Sequence, residues 1–437
     1  MIFITVLKNF LQNTFKNHSF LNYILYKGGI SIMLRASGTF LGFLIMWLII
    51  RYFSNALYGG FVIIQTLIQL GVIVFTLGIQ NVLIFEFNKP NFNSNKQFPL
   101  LLKSYKLTLI VGILPILLIF FFSDFISQQI FNKPQLLISL KYASLGLLIF
   151  VFHDITLYYF IAKKKIIHFG LFMFIIPNII FLLLMIIYNN RITELHQLVY
   201  YYLIAFSVTL IIEIGIILLR DYSKEKSSVS VKNILNYSLP MMLSSMTIYL
   251  LSWTDVLMLG MMTSETDVGI YNTAFKIGFF VLVFVIAINV VVAPKVAEYY
   301  QKNDPNSLKS FINQVTQLIT LITLPVVIGI ILFRNQLLGI FGIDFLQGST
   351  VLIIIAIATL INSATGNVDQ ILNMTKNQKL LFKINIVSLI INIAFNAVLI
   401  PYYGINGAAT ASLISTVFMN IAALYFIKKK LGFYTFY

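Results

Sequence analysis

Six ionisable side chains interrupt stretches of the 437-residue sequence that are otherwise apolar: Arg35, Asp154, Glu213, Asp255, Lys276 and Asp369. At a lipid-facing helix centre each would cost on the order of 2.5–3.5 kcal/mol, so they should face protein or a watery cavity. The chemistry open to such groups is ion pairing, carriage of a proton or cation, and contact with a charged cargo. Asp255 and Lys276 can pair, either as a structural ion pair or as a contact that breaks when a cavity opens. Arg35 can meet Asp154 or Glu213. Glu213 and Asp369 lie close enough to a helix end to snorkel. The His153-Asp154 dipeptide suggests a proton relay, but a lone pair of this kind does not make a metal site.

Helical spacing places several of these groups on polar stripes. Ser238, Ser245, Ser252 and Asp255 share one face, and Thr359, Asn362, Gly366, Asp369 and Asn373 share another. Ser31, Arg35, Gly38 and Gly42 form a third stripe, and Asn385, Asn392 and Asn396 a fourth. A stripe of Ser and Gly lines a helix–helix seam more often than a cavity. One that includes Asp or Arg favours the cavity. Covalent chemistry has no obvious seat, since the chain has no cysteine and no Walker loop, Gly-rich nucleotide fingerprint or HExxH motif. An enzyme is therefore not expected, and neither is a cofactor or a metal.

The elements that must hold these stripes follow from composition. The chain is 59% hydrophobic and only 10% charged, whereas a soluble domain carries about 25% charged residues. Twelve stretches are long enough to span a membrane. The first six are Ile30–Ile50, Tyr58–Ile84, Leu107–Phe122, Leu136–Ile161, Ile166–Tyr188 and Leu198–Leu219. The second six are Leu235–Met261, Val268–Val292, Leu308–Phe333, Thr350–Leu372, Leu380–Ile400 and Ile405–Ile427. Residues 1–29 read as either an interfacial amphipathic helix or a loosely ordered tail, not as a signal peptide.

The net charge of +16 follows the same map. Most of the 30 basic residues fall on one set of alternate connections, including Lys163–Lys165, Arg220–Lys232 and Lys428–Lys430. The opposite side holds Arg51, Lys133, Lys141, Arg191 and Arg334. The positive-inside rule then puts both termini in the cytoplasm, and the basic balance implies no nucleic acid. The expected organisation is a segment 1–29, a lobe 30–219, a linker 220–234, a second lobe 235–427 and a tail 428–437. Parallel six-helix halves around a central site are a recurrent transporter plan. Tyr58-Gly59-Gly60-Phe61 and Val268-Gly269-Ile270-Tyr271 are a faint internal echo of it.

Taken in order along the chain, several short pieces carry a family likeness. They are Lys27-Gly28, Leu57-Tyr58-Gly59-Gly60-Phe61, Ser238-Leu239-Pro240, Asp255 and Val268-Gly269-Ile270-Tyr271. Asn392 through Asn396, Leu399-Ile400-Pro401 and Tyr403-Gly404-Ile405-Asn406-Gly407-Ala408-Ala409 complete the set. With these pieces the chain resembles the O-antigen and capsule repeat-unit flippases of the multidrug/oligosaccharidyl-lipid/polysaccharide exporter superfamily.

The resemblance implies an all-α membrane protein with twelve transmembrane helices in two parallel six-helix lobes around a cavity that opens alternately to each side. It further implies a bacterial inner-membrane location, an undecaprenyl-diphosphate-linked oligosaccharide as cargo, and polysaccharide assembly proteins as partners. Substrate-binding residues would be Arg35 and Lys276, with Ser245, Ser252 and Asn362 added from the polar stripes, and the intramembrane acids Asp154, Glu213, Asp255 and Asp369 would serve ion coupling or gating. Related lipid II flippases hold the diphosphate with basic residues of their first and eighth helices. Arg35 matches the first, and Lys276 falls about one residue out of register with the second. Their further arginine in the second helix has no counterpart, which implies a less cationic cavity and a larger share for the sugar. A multidrug exporter of the same superfamily and, more distantly, a membrane O-antigen polymerase are the alternatives. A cavity dominated by acids would favour the exporter, and a long ordered outer loop the polymerase.

Overall fold

The computed structural model describes residues 18–436 apart from 90, 91, 226 and 228. The expected interfacial helix lies mostly outside the described residues, and its final part runs as the start of the first helix. The described residues form helices and contain no strand.

In the first half the α-helices of seven or more residues are α1 (His18–Tyr52), α2 (Asn55–Phe75), α3 (Ile79–Phe87), α4 (Gln97–Phe121), α5 (Leu137–Ala162), α6 (Ile176–Ile187) and α7 (Leu195–Asp221). The second half contributes α8 (Val231–Met262), α9 (Glu265–Phe279), α10 (Leu282–Gln301), α11 (Pro305–Leu332), α12 (Ser349–Ala364), α13 (Val368–Met374) and α14 (Gln378–Leu431). Ten stretches among the described residues are long and apolar enough to cross a membrane. Their starts are chemically marked. Ser54 caps α2, Ser230 caps α8, and Ser264 with Asp267 forms a capping box on α9, which satisfies N–H groups that have no partner inside the helix.

Two stretches that the hydropathy pattern joins are broken at left-handed residues. Leu77 and Gly78, at φ of 53° and 71°, separate α2 from α3. Gly366 and Asn367, at 87° and 50°, separate α12 from α13. Gly404, at φ 54° and ψ −130°, interrupts α14 where the sequence already sets a boundary between two stretches. A left-handed backbone ends the regular ladder and is cheap only at glycine. The stripe from Thr359 to Asn373 therefore crosses a break instead of following one helix.

The main apolar core is shared between the halves. Met46, Ile49, Phe61 and Ile63 of the first half join Val256, Leu259, Ile270 and Ile355 of the second. A separate cluster, including Val285, Val292, Leu308, Phe311, Leu372 and Met419, belongs to the second half alone. The shared core lies where α1 ends, α2 begins, α8 ends and α9 begins. There Gly59 approaches α9 so closely that a β-carbon would lie 1.6 Å from the Glu265 carbonyl oxygen.

Candidate functional site

Two cavities hold the polar residues of interest. The first, about 170 Å³, lies between the halves and is lined by Gln65, Thr66 and Gln69 of α2, Tyr202 of α7, Tyr249 and Trp253 of α8, and Asn272 and Lys276 of α9. Lys276 has no carboxylate partner among the described residues. Its Nζ lies 3.5 Å from the Tyr58 hydroxyl and 5.8 Å from that ring's centroid. Tyr58 in turn donates to Asn272 Oδ1 at 2.8 Å, while Asn272 Nδ2 is buried without a partner.

The second cavity, about 380 Å³, lies within the second half. Ser252, Thr359, Asn362, Asp369, Asn373 and Ser412 contribute its polar lining, and Phe275 and Phe279 are among its apolar walls. One oxygen of Asp369 is buried without a hydrogen-bond partner. Four residues of the broken stripe, Thr359, Asn362, Asp369 and Asn373, still line one space despite the break at Gly366.

Asp255 is buried beside this cavity and saturated with donors. Tyr271 donates to Oδ2 at 2.5 Å, and Asn396 and Asn392 donate to Oδ1 at 2.7 and 3.1 Å. Ser412 donates to Oδ2 as well. A buried carboxylate is tolerable when hydrogen bonds replace its lost water.

The expected pairing of Asp255 with Lys276 is therefore not found. Tyr271 and Lys276 are five residues apart on α9, roughly 140° around the helix. The first faces Asp255 and the second faces α2.

Other sequence expectations are also redistributed. Glu213 does not snorkel, since its side chain is fully buried and Oε2 lies 3.0 Å from His153 Nδ1. That contact removes Glu213 as a partner for Arg35, and its Oε1 is left buried without a partner. Asp154, the next residue along α5, is half-buried and lines neither cavity. Arg35 lines neither cavity, and its guanidinium carbon sits 5.2 Å from the Phe174 ring centroid, a cation–π contact. Ser245 is half-buried and also lines neither cavity. Of the predicted set, the structure brings Ser252, Asn362 and Asp369 together, and sets Lys276 apart with residues of both halves. Sequence reasoning missed Gln65, Gln69, Tyr249 and Trp253, although each of these pairs has the four-residue spacing that shares a helix face.

The halves are also tied at the end carrying the shared core. Lys133 Nζ donates to the carbonyls of Gly260 at 2.6 Å and Thr263 at 2.7 Å. Asn55 Nδ2 donates to Asp344 Oδ2 at 2.7 Å.

Apolar helices thus enclose two separate polar cavities, one lined by the cation Lys276 and the other by the acid Asp369. The chain belongs to the polysaccharide biosynthesis protein family, whose model matches residues 25–300, and the MatE model matches residues 240–398. This bears out the flippase resemblance read from the sequence. The chain is similar to the probable low-salt glycan biosynthesis flippase Agl15 of Haloferax volcanii, at 30% identity over 193 residues. That alignment covers 44% of this chain and 41% of the relative, so it spans about two-fifths of the relative's length. Among solved structures, an inward-facing multidrug resistance MATE family transporter superposes with a TM-score of 0.76 at 14% identity, covering 92% of this chain and 94% of the other. The lipid II flippase MurJ in an inward closed conformation also gives 0.76, at 16% identity and coverage of 92% and 87%. These likenesses establish the fold.

Proposed function

We propose that the protein moves a polyprenyl-diphosphate-linked oligosaccharide from the inner to the outer leaflet of the cytoplasmic membrane by alternating access. The observation that carries this reading is Lys276, a cation without a carboxylate partner among the described residues, facing a polar pocket built from both halves. A hydrated diphosphate cannot cross hydrocarbon unaided, and a cavity supplying a cation and hydrogen-bond donors replaces its lost water. The named function of the Haloferax relative supports the cargo class.

In this reading the chain makes twelve passes in two six-helix lobes, 30–219 and 235–427, joined by the linker 220–234. α14, broken at Gly404, counts as two passes, and α9 with α10 makes one. Both termini are cytoplasmic, and the Lys133 end faces outward and is closed. The cargo is an undecaprenyl-linked O-antigen or capsule unit delivered to polysaccharide assembly proteins. Asp255, beside the second cavity, and Asp369, in its lining, are the acids proposed for ion coupling, and Arg35 meets the headgroup at the inner entrance. The test is Lys276→Ala and Arg35→Ala, each checked for membrane insertion, with the leaflet distribution of the lipid-linked glycan as readout. Accumulation on the inner leaflet is the expected result, and unimpaired translocation in both variants would remove the two residues from the site.

A second reading has its own observation. Asp369 presents an unpaired carboxylate oxygen beside the cavity walled by Phe275 and Phe279, a combination suited to an organic cation. Efflux of a cationic dye that disappears in Asp369→Asn would favour an exporter.

A further inference from the structure

Resting on the reading of Lys276 as the anchor for a phosphate-linked glycan, we infer that the pocket beside it is a sugar-reading subsite, which holds the saccharide ring nearest the phosphate. A pyranose has two kinds of surface, faces of C–H groups and an edge of hydroxyls that both donate and accept. The pocket offers a match to each.

Trp253 and Tyr249 stack on one another with ring centroids 6.1 Å apart and planes inclined by 24°. They form an aromatic wall on one side of the space. The electron-rich ring face attracts the slightly positive C–H groups of a sugar. Gln65 and Gln69 stand on successive turns of α2 across the pocket, and carboxamides suit hydroxyls because each both donates and accepts. Asn272 completes the set. Its oxygen is occupied by Tyr58, but its Nδ2 is fully buried with no partner. An orphaned buried donor is costly, and a ligand oxygen would satisfy it.

The same features disfavour other occupants. An organic cation would meet Lys276 and no acid, since none lines this pocket. An acyl chain would leave two glutamines and an asparagine unsolvated.

The subsite also depends on the arrangement of the two halves. Gln65 and Gln69 come from the first half, Trp253 and Asn272 from the second, and Tyr249 donates across the seam to the Thr66 carbonyl at 2.9 Å. When α2 parts from α8 and α9 the two walls of the pocket separate, so a sugar held here is released by the movement that opens this end.

The experiment uses the full chain in lipid nanodiscs. It has two tryptophans, so Trp47→Phe leaves Trp253 as the only one. Three probes are titrated: bare undecaprenyl diphosphate, and the same lipid carrying one glucose or one N-acetylglucosamine. At least one glycosylated probe is expected to shift Trp253 emission and to bind about tenfold more tightly than the bare lipid, the worth of one stacked face and one or two hydrogen bonds. By thermophoresis, Trp253→Ala and Gln69→Ala should erase that increment while bare-lipid binding persists, and Trp253→Phe should retain most of it. Gln69 is exposed, so its variant carries little folding risk. Equal binding of all three lipids, or an increment that survives in both Trp253→Ala and Gln69→Ala, overturns the subsite and leaves the phosphate reading standing. Binding of none of them overturns both.

Discussion

The ammonium of Lys133 lies 2.6 Å from the Gly260 carbonyl oxygen, joining a connection of the first half to the last turn of α8 in the second. Its other bonds go to Thr263 and Phe131, so the side chain satisfies carbonyls at a helix end that have no partner within the helix. Hydrogen bonds involving a charged group contribute about 1.5–3 kcal/mol each, part of which water restores once the site opens. Lys133→Ala should therefore shift the conformational equilibrium toward opening of this end by roughly tenfold. The chain lacks cysteine, so a single Val62→Cys, buried in the pocket wall, reports the change. Impermeant maleimide applied from the outer side should label it faster in the Lys133→Ala background, and an unchanged rate would mean that Lys133 is no latch.

The same residue predicts a pH effect. Burial pushes the Lys133 ammonium below its ordinary range, and the carboxylates of Glu265 and Asp267 pull it partly back. The closed state thus binds this proton less tightly than an open state in which Lys133 meets water. Raising the pH through the lysine range should favour closure, and the neutral amine still donates to both carbonyls. Val62→Cys labelling should slow as pH rises, after correction for maleimide reactivity, and the trend should vanish in Lys133→Ala.

Gly59 offers an independent test of the same interface. The clash of an added β-carbon is with the Glu265 carbonyl, which is backbone and cannot rotate away. Gly59→Ala should force α2 and α9 apart, at a cost of about 1–3 kcal/mol for overpacking. Faster outer-side labelling of Val62→Cys and a lower melting temperature are expected together. Combined with Lys133→Ala the effects should fall short of additive, because both act on one interface.

Much of this arrangement was legible in the sequence, and the limits have physical causes. Of the stripe Ser238, Ser245, Ser252 and Asp255, Ser252 lines the second cavity and Asp255 bonds to Ser412 of its wall, since a helix fixes relative direction among its own residues, while Ser245 lines neither cavity. The spacing could not fix which neighbour each would meet. Asp255 was expected to face Lys276 and instead faces Tyr271, Ser412 and two asparagines of α14. The His153–Glu213 contact joins residues sixty apart on separate helices, and no local pattern marks it. The breaks at Gly78 and Gly366 were hidden for another reason. Glycine inside an apolar run is common, and the positive φ and the close approach of Ser238 and Thr316 that set these two apart exist only in the folded chain.

Asp255 allows charge to be separated from shape. Asp255→Ala strands the four donors it accepts from, at about 1–3 kcal/mol for each that finds no water, and should lower the melting temperature by several degrees. Asp255→Asn keeps an oxygen for Asn392 and Asn396, and its amide can donate to Tyr271 and Ser412, whose hydroxyls can turn to accept. That variant should fold nearly as well as the parent. If the carboxylate carries the coupling ion, glycan translocation in Asp255→Asn liposomes should no longer respond to an imposed cation or proton gradient. A full response would exclude Asp255 from coupling.

The His153–Glu213 pair makes the last prediction, and it concerns stability. Both side chains are buried within the first half, and Glu213 Oε1 already lacks a partner. Removing the imidazole takes away the hydrogen-bond partner of Glu213 Oε2, and a buried polar group left unsatisfied costs about 1–3 kcal/mol. Replacing both members by apolar side chains of similar size removes the need for compensation and is often neutral or stabilising. Thermal unfolding in detergent should therefore rank His153→Ala below the double variant His153→Phe/Glu213→Leu, even though the double variant carries more changes. Glu213→Gln should fall close to the parent, because a carboxamide can still hydrogen-bond to the ring. Were the double variant less stable than His153→Ala, the pair would be net stabilising, and its burial would reflect strength and not a tolerated polar contact.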